Sequence, residues 1–177
     1  MLRKFGIIAV LSLMALALAA VPALAVTSTP ENGTITGRTG GLHFVGTPQV
    51  FATLTSNSTF LTATGEVAGA GSTGGTADLS ATAEVTRGCI NRGSQGQEPS
   101  GLQRSTTLAS GTTTFDTTRN GRGRFNVSTT PITIGSFTCP DQMRPTLVSV
   151  TYSNISLTVE SQTGTTTATF PNITLSL

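Results

Sequence analysis

The chain has 177 residues, of which 10% are charged, and its formal net charge is +2. Two of its ten basic residues, Arg3 and Lys4, lie in a predicted leader, so the remaining chain balances eight arginines against eight Asp and Glu residues. A neutral chain has no global field that attracts nucleic acid or an anionic membrane surface, and we predict neither as a partner.

The first 25 residues predict a secretory signal peptide. A basic start is followed by the almost entirely apolar residues 5–20, and residues 23–25 read Ala-Leu-Ala, the small-x-small pattern of a cleavage site. We expect cleavage near Ala25 and a single domain over residues 26–177, with a retained N-terminal anchor as the alternative. No later apolar run is long enough for a membrane span, so we expect a secreted protein, or one of the periplasm or cell surface.

The only two cysteines, Cys89 and Cys139, both follow the predicted leader. In an oxidising compartment two thiols form one disulfide most simply. There is no C-x-x-C motif, and two cysteines with the single histidine fall short of four zinc ligands. We therefore predict a structural Cys89–Cys139 bridge and no metal.

Short runs of alternating apolar and polar residues predict β-strands. Residues 79–85 alternate strictly, as do residues 148–152, and residues 155–159 continue with the parity shifted by one. Because the side chains of a strand alternate between two faces, the shift at Ser153-Asn154 predicts a bulge, or a point where the chain crosses between sheets.

Turn signals separate these runs. Gly69–Gly75 and Arg92–Gly101 are loop-like in composition, and Asn120-Gly121 predicts a two-residue hairpin turn between residues 112–118 and 122–129. The segment 69–74 also matches G-x-G-x-x-G, but a strand pattern rather than a helix follows it. We interpret it as a loop and predict no cofactor.

Ser and Thr make up one third of the chain after residue 25, which suits sheets with one buried and one solvated face. With no helical periodicity, the pattern predicts an all-β fold. We expect an antiparallel β-sandwich of about eight to ten strands, Ig-like or of Greek-key style. A small closed β-barrel is the alternative.

Candidate site residues are few. Arg119, Arg122 and Arg124 flank the Asn120-Gly121 turn and form a candidate anion-binding tip, against the alternative of ordinary edge charges. The single histidine, His43, is predicted to be a solvent-facing strand residue, since Leu42 and Phe44 occupy the opposite face. No serine lies in a G-x-S-x-G elbow, so we predict no catalytic residue.

The order of several segments resembles a group of uncharacterised small secreted bacterial β-rich proteins. The segments are Leu61–Gly69 (LTATGEVAG), Ala81–Gly93 (ATAEVTRGCINRG), Cys139-Pro140 and Thr146–Thr158. The resemblance covers roughly residues 44–177 and implies a β-domain with a Cys89–Cys139 bridge, but no activity.

These observations predict a secreted or cell-surface β-domain without catalysis, in a structural, adhesive or interaction role. The alternative is a binding module for an anionic or carbohydrate ligand, through the Arg92–Gly101 loop or the Arg119–Arg124 tip. A hydrolase whose site one sequence does not reveal is a further alternative.

Overall fold

The structure, a computed structural model, describes residues 25–91 and 98–177. The predicted signal peptide up to residue 24 and most of the predicted Arg92–Gly101 loop lie outside the described residues. The strands within these ranges are β1 (Ala25–Thr27), β2 (Glu31–Asn32), β3 (Thr34–Arg38), β4 (His43–Phe44), β5 (Gln49–Thr55), β6 (Ser58–Ala68), β7 (Gly75–Asn91), β8 (Ser100–Phe115), β9 (Gly123–Ser128), β10 (Ile132–Thr133), β11 (Met143–Ser161), β12 (Gly164–Phe170) and β13 (Ile173–Ser176).

The strands form two antiparallel sheets, which confirms the predicted all-β sandwich. The first sheet has the order β1-β5-β6-β10, with β2 on β5 and with β4 and β9 on β6. The second has the order β3-β12-β11-β7-β8, with β13 on β11. Neither sheet closes on itself, so the alternative of a closed barrel is not realised. The described strands exceed the predicted eight to ten because β1, β2, β4 and β10 are only two or three residues long.

The core lies between the facing sides of the two sheets. Val50, Leu61 and Val127 of the first sheet and Leu79 and Leu157 of the second are almost completely buried. The predicted inward row of residues 79–85 is confirmed, because its odd-numbered members are buried while Ser80 and Glu84 are exposed. The opposite side of the second sheet is lined largely by threonine and serine.

The predicted irregularity at Ser153-Asn154 is a bulge. The register of β11 against β7 shifts between Ser153 and Ser156, and Asn154 has a φ of 51°. Both halves of β11 stay in the same sheet, so the chain does not cross between sheets here. A second shift, between Leu147 and Ser149, was not predicted and leaves Val148 only half-buried.

The turn at Asn120-Gly121 differs from the prediction. The Gly121 N–H donates to the Thr118 carbonyl over 2.9 Å, and only Gly121 of the predicted pair adopts a positive φ, 67°. This is a three-residue turn. The strands on its two sides, β8 and β9, belong to different sheets and meet here only through the isolated Thr117–Gly123 bridge.

Candidate functional site

The ends of β7 and β8 form an arm that continues the second sheet. The two strands pair without a register shift from Gly75–Phe115 to Arg87–Gln103, and a shift follows before Cys89–Ser100. Because strand side chains alternate, Arg87 and Cys89 project from the same side of β7. That side faces the segment between β10 and β11.

The segment between β10 and β11 is covalently attached to this arm. Cys89 and Cys139 form the predicted disulfide, with their Cα atoms 5.7 Å apart. The segment turns at Gly135, which has a φ of 66°, so that residues 134–138 pass in front of β7. The disulfide therefore fixes one end of this segment against the arm.

Arg87 holds the other end of the segment between β10 and β11. Its Nη2 donates to the Thr133 carbonyl over 3.2 Å, and its Nη1 donates to Ser105 Oγ on β8. Its Nε is buried and has no hydrogen-bond partner, and no carboxylate of the described residues pairs with the guanidinium. Arg87 is thus a half-buried cation with unused donor capacity.

An open cleft of about 450 Å³ lies beside this guanidinium, and we call it the Arg87 cleft. Its lining residues are Arg87, Gln103, Ile134, Gly135, Ser136, Phe137 and Thr138. The lining combines a cation with an amide, hydroxyl groups and a phenyl ring. This chemistry suits a ligand that carries one anionic group on an organic body.

The predicted tip, Arg119, Arg122 and Arg124, is organised around a carboxylate. Glu66 on β6 pairs with Arg122 Nη1 at 3.3 Å and with Arg124 Nε at 3.2 Å. Glu66 is only 22% exposed, whereas both arginines are well exposed. Arg119 is exposed in the turn itself. The tip is therefore less cationic than three arginines alone imply, and its predicted anion binding stays a prediction.

His43 and the loop 69–74 take no part in the cleft. His43 Nδ1 lies 3.0 Å from the Gly41 carbonyl, while Leu42 and Phe44 are buried on the other side, as predicted. The segment Gly69–Gly74 is a loop that joins β6 in one sheet to β7 in the other. No group of three or more His, Cys, Asp or Glu side chains within residues 25–91 and 98–177 could hold a metal ion.

Arg87 is the residue that the sequence analysis missed. The available signal was its place in an alternating run, at an inward-facing position two residues before Cys89. A cation at an inward-facing position needs a polar partner. The Cys89–Cys139 bridge indicates that this partner lies in the segment before Cys139.

Comparison of the chain with protein-family models, with curated proteins and with solved structures finds no match in any of the three. The part of the chain that the structure describes contains no helix long and apolar enough to cross a membrane.

Proposed function

We propose that this chain is an exported β-domain that works by binding rather than by catalysis, and that the Arg87 cleft takes an anionic group. The observation that carries the proposal is the state of Arg87, whose guanidinium lines a cleft of about 450 Å³ and pairs with no carboxylate of the described residues. Its Nη1 and Nη2 each donate one hydrogen bond within the chain, so a carboxylate, sulfate or phosphate oxygen in the cleft would accept charge-assisted hydrogen bonds from their remaining N–H groups.

The other lining residues restrict the ligand class. Phe137 and Ile134 offer apolar contact area, while Gln103, Ser136 and Thr138 offer an amide and hydroxyls. An acidic sugar unit or a short peptide ending in a carboxylate has both an anionic group and a body of this mixed character. The role is structural, adhesive or interactive, and the disulfide is consistent with an extracellular setting. Membership of the group of small bacterial exported β-proteins belongs to the same proposal.

The experiment is a binding titration with acidic oligosaccharides, their neutral counterparts and inorganic sulfate, monitored by calorimetry. Arg87→Gln removes the cation, and Arg87→Lys keeps a charge while removing Nε and the planar fork. The matched control is Arg144→Gln, because Arg144 is exposed and its pairing with Ile90 places it on the opposite face of the second sheet from Arg87. We expect the wild type to bind an acidic probe. Its affinity should fall at least tenfold in both Arg87 variants and stay within twofold of the wild type in the control.

Two results would overturn the proposal. One is a wild-type protein that binds no acidic probe. The other is an equal loss in Arg144→Gln, since this would indicate nonspecific attraction to any arginine.

A further inference from the structure

β8 is an edge strand whose outer end is open along nine residues. Among the strands of residues 25–91 and 98–177 it pairs only with β7, and residues 100–108 are all exposed. Leu102 and Leu108 are 58% and 71% exposed, and both belong to the small group of large apolar residues that the described chain leaves in solvent. Because they are six residues apart, they lie on the same face of the strand.

The free part of this edge has two defined ends. At one end, the Thr130 N–H donates to the Ser110 carbonyl over 2.9 Å, so the chain itself covers the edge there. At the other end, Gly101 has a φ of 62° beside the register shift between Arg87 and Cys89, which ends regular pairing. The uncovered segment is residues 102–108, of which residues 103–108 pair regularly with β7 and Leu102 lies at the register shift.

The Ser110 contact also fixes which backbone groups are free. Its carbonyl points away from β7, and in an antiparallel strand the direction alternates from residue to residue. The N–H and C=O groups of Arg104, Thr106 and Leu108 therefore point away from β7 as well. These three residues present unpaired donors and acceptors to any strand that approaches.

Residues 102–108 carry few of the devices that block edge pairing. The segment contains no lysine and no proline, residues 103–108 pair with β7 in unbroken register, and Arg104 is its one charged side chain. Natural sheets use charges, prolines and bulges to prevent association at an edge. With a single charge beside two exposed leucines, this edge is open to a partner strand.

The segment is complementary to itself about Ser105. In an antiparallel pair of two copies centred on Ser105, Leu102 lies opposite Leu108 of the second copy, and Arg104 lies opposite Thr106 of the second copy. The two Arg104–Thr106 pairs join outward-pointing residues and give about four backbone hydrogen bonds, and Leu108 of each copy meets Leu102 of the other at the register shift. Both exposed leucines meet apolar side chains on the same face.

The charges on this face balance in the same register. Within one copy Glu84 is the neighbour of Thr106 on β7, and Arg104 reaches it only at 3.9 Å. In the pair, the two Arg104 residues are diagonal neighbours, and a Glu84 carboxylate lies on the strand outside each of them. Two cations thus lie between two carboxylates, so the four groups together carry no net charge.

We propose that two copies of this chain associate through β8, pairing antiparallel about a two-fold axis at Ser105 and joining their second sheets into one. The interface is isologous, since the same residues occur on both sides. It does not depend on the Arg87 cleft binding a ligand.

The first test is the mass of the purified, disulfide-bonded protein by light scattering over a wide concentration range. We expect a mass twice that of the monomer at high concentration, and a decrease towards the monomer mass on dilution. Leu108→Lys should shift the dissociation constant at least tenfold, since it buries a charge against Leu102 of the second copy. Circular dichroism checks that the Leu108→Lys substitution leaves the fold intact, as expected for an exposed position. The matched control is Ile35→Lys, because Ile35 is similarly exposed on β3 at the opposite edge.

The second test fixes the register with added cysteines. Leu102→Cys and Leu108→Cys proteins, prepared separately and then mixed under mild oxidation, should form a cross-linked heterodimer. Neither variant alone should cross-link, because each new cysteine lies opposite a leucine of the other copy. A monomer at every concentration, a dimer broken by Ile35→Lys but not by Leu108→Lys, or self-linked single variants would each overturn the proposal.

Discussion

The hydroxyl groups of Thr59 and Tyr152 meet at 2.9 Å in the centre of the sandwich. Thr59 belongs to the first sheet and Tyr152 to the second, and both side chains are completely buried. Thr59 Oγ1 donates its hydrogen to the Thr53 carbonyl, so the Tyr152 hydroxyl donates to Thr59. One short polar chain thereby joins the two layers inside a core that consists mainly of apolar side chains.

Replacing Tyr152 with Phe should lower the free energy of unfolding by about 1 kcal/mol, because it removes this hydrogen bond with almost no change of volume. Urea unfolding monitored by circular dichroism measures the difference. Thr174→Val serves as the control, since the hydroxyl of Thr174 bonds to Thr151 on the exposed side of the second sheet. An equal loss of unfolding free energy in the two variants would show that the buried hydrogen bond stabilises the fold no more than the exposed one.

The stability of the fold should decrease as the pH rises from about 10 to about 12. Burial raises the pKa of Tyr152 to about 12, whereas an unfolded tyrosine titrates near pH 10. Between these values the unfolded state has lost a proton that the folded state keeps, so raising the pH favours unfolding. Tyr152 is the only tyrosine, and phenolate absorbance reports its titration directly. A midpoint near 10 in the folded protein would contradict the expectation, and Tyr152→Phe should lose this pH dependence.

Removing the disulfide by Cys89→Ala with Cys139→Ala should lower the free energy of unfolding by about 4 kcal/mol, since the bridge closes a loop with a sequence separation of 50. Denaturant unfolding measures this change. Because the bridge also holds residues 134–138 against β7, the double variant should bind an acidic probe more weakly under conditions in which it is still folded. Unchanged affinity would place the ligand elsewhere.

Asn154 should tolerate glycine but not valine. Its φ of 51° lies in the left-handed region, which costs a β-branched residue about 1–2 kcal/mol and costs glycine little. Asn154→Val should therefore unfold at lower urea concentration, and Asn154→Gly should stay close to the wild type. Position 154 is exposed, so lost packing does not complicate the comparison.

The predicted anion-binding tip has its own test. Glu66→Gln should release Arg122 and Arg124 from their shared carboxylate, and retention on an immobilised polyanion should increase if the tip binds anions. Stability should change by less than about 1 kcal/mol, because both arginines are exposed. Glu84→Gln, which removes the same charge from β7 at a distance from the tip, is the matched control. Unchanged retention when Arg119, Arg122 and Arg124 are all replaced by serine would remove the tip hypothesis.

Sequence rules predicted the features that depend on neighbouring residues. The inward row of residues 79–85 and the bulge at Asn154 follow from side-chain alternation, a local property of any strand. The bridge followed from counting the cysteines. Each of these required no knowledge of where distant segments lie.

The features that the sequence did not predict correctly depend on packing between distant segments. Asn120-Gly121 indicates that the chain reverses, but β9 leaves the sheet of β8 because Phe125 and Val127 are buried beside β6. The Arg87 cleft arises because Thr133, 46 residues away along the chain, lies within hydrogen-bond distance of Arg87. No local pattern encodes such an encounter.

The sulfur link between Cys89 and Cys139 also has a mechanical consequence. Cys139 lies between β10 of the first sheet and β11 of the second, whereas Cys89 lies near the end of β7 in the second sheet. Tension applied to the end of β7 would pass through the disulfide to β10 as well as to β11. The two sheets would then share the load instead of peeling apart strand by strand.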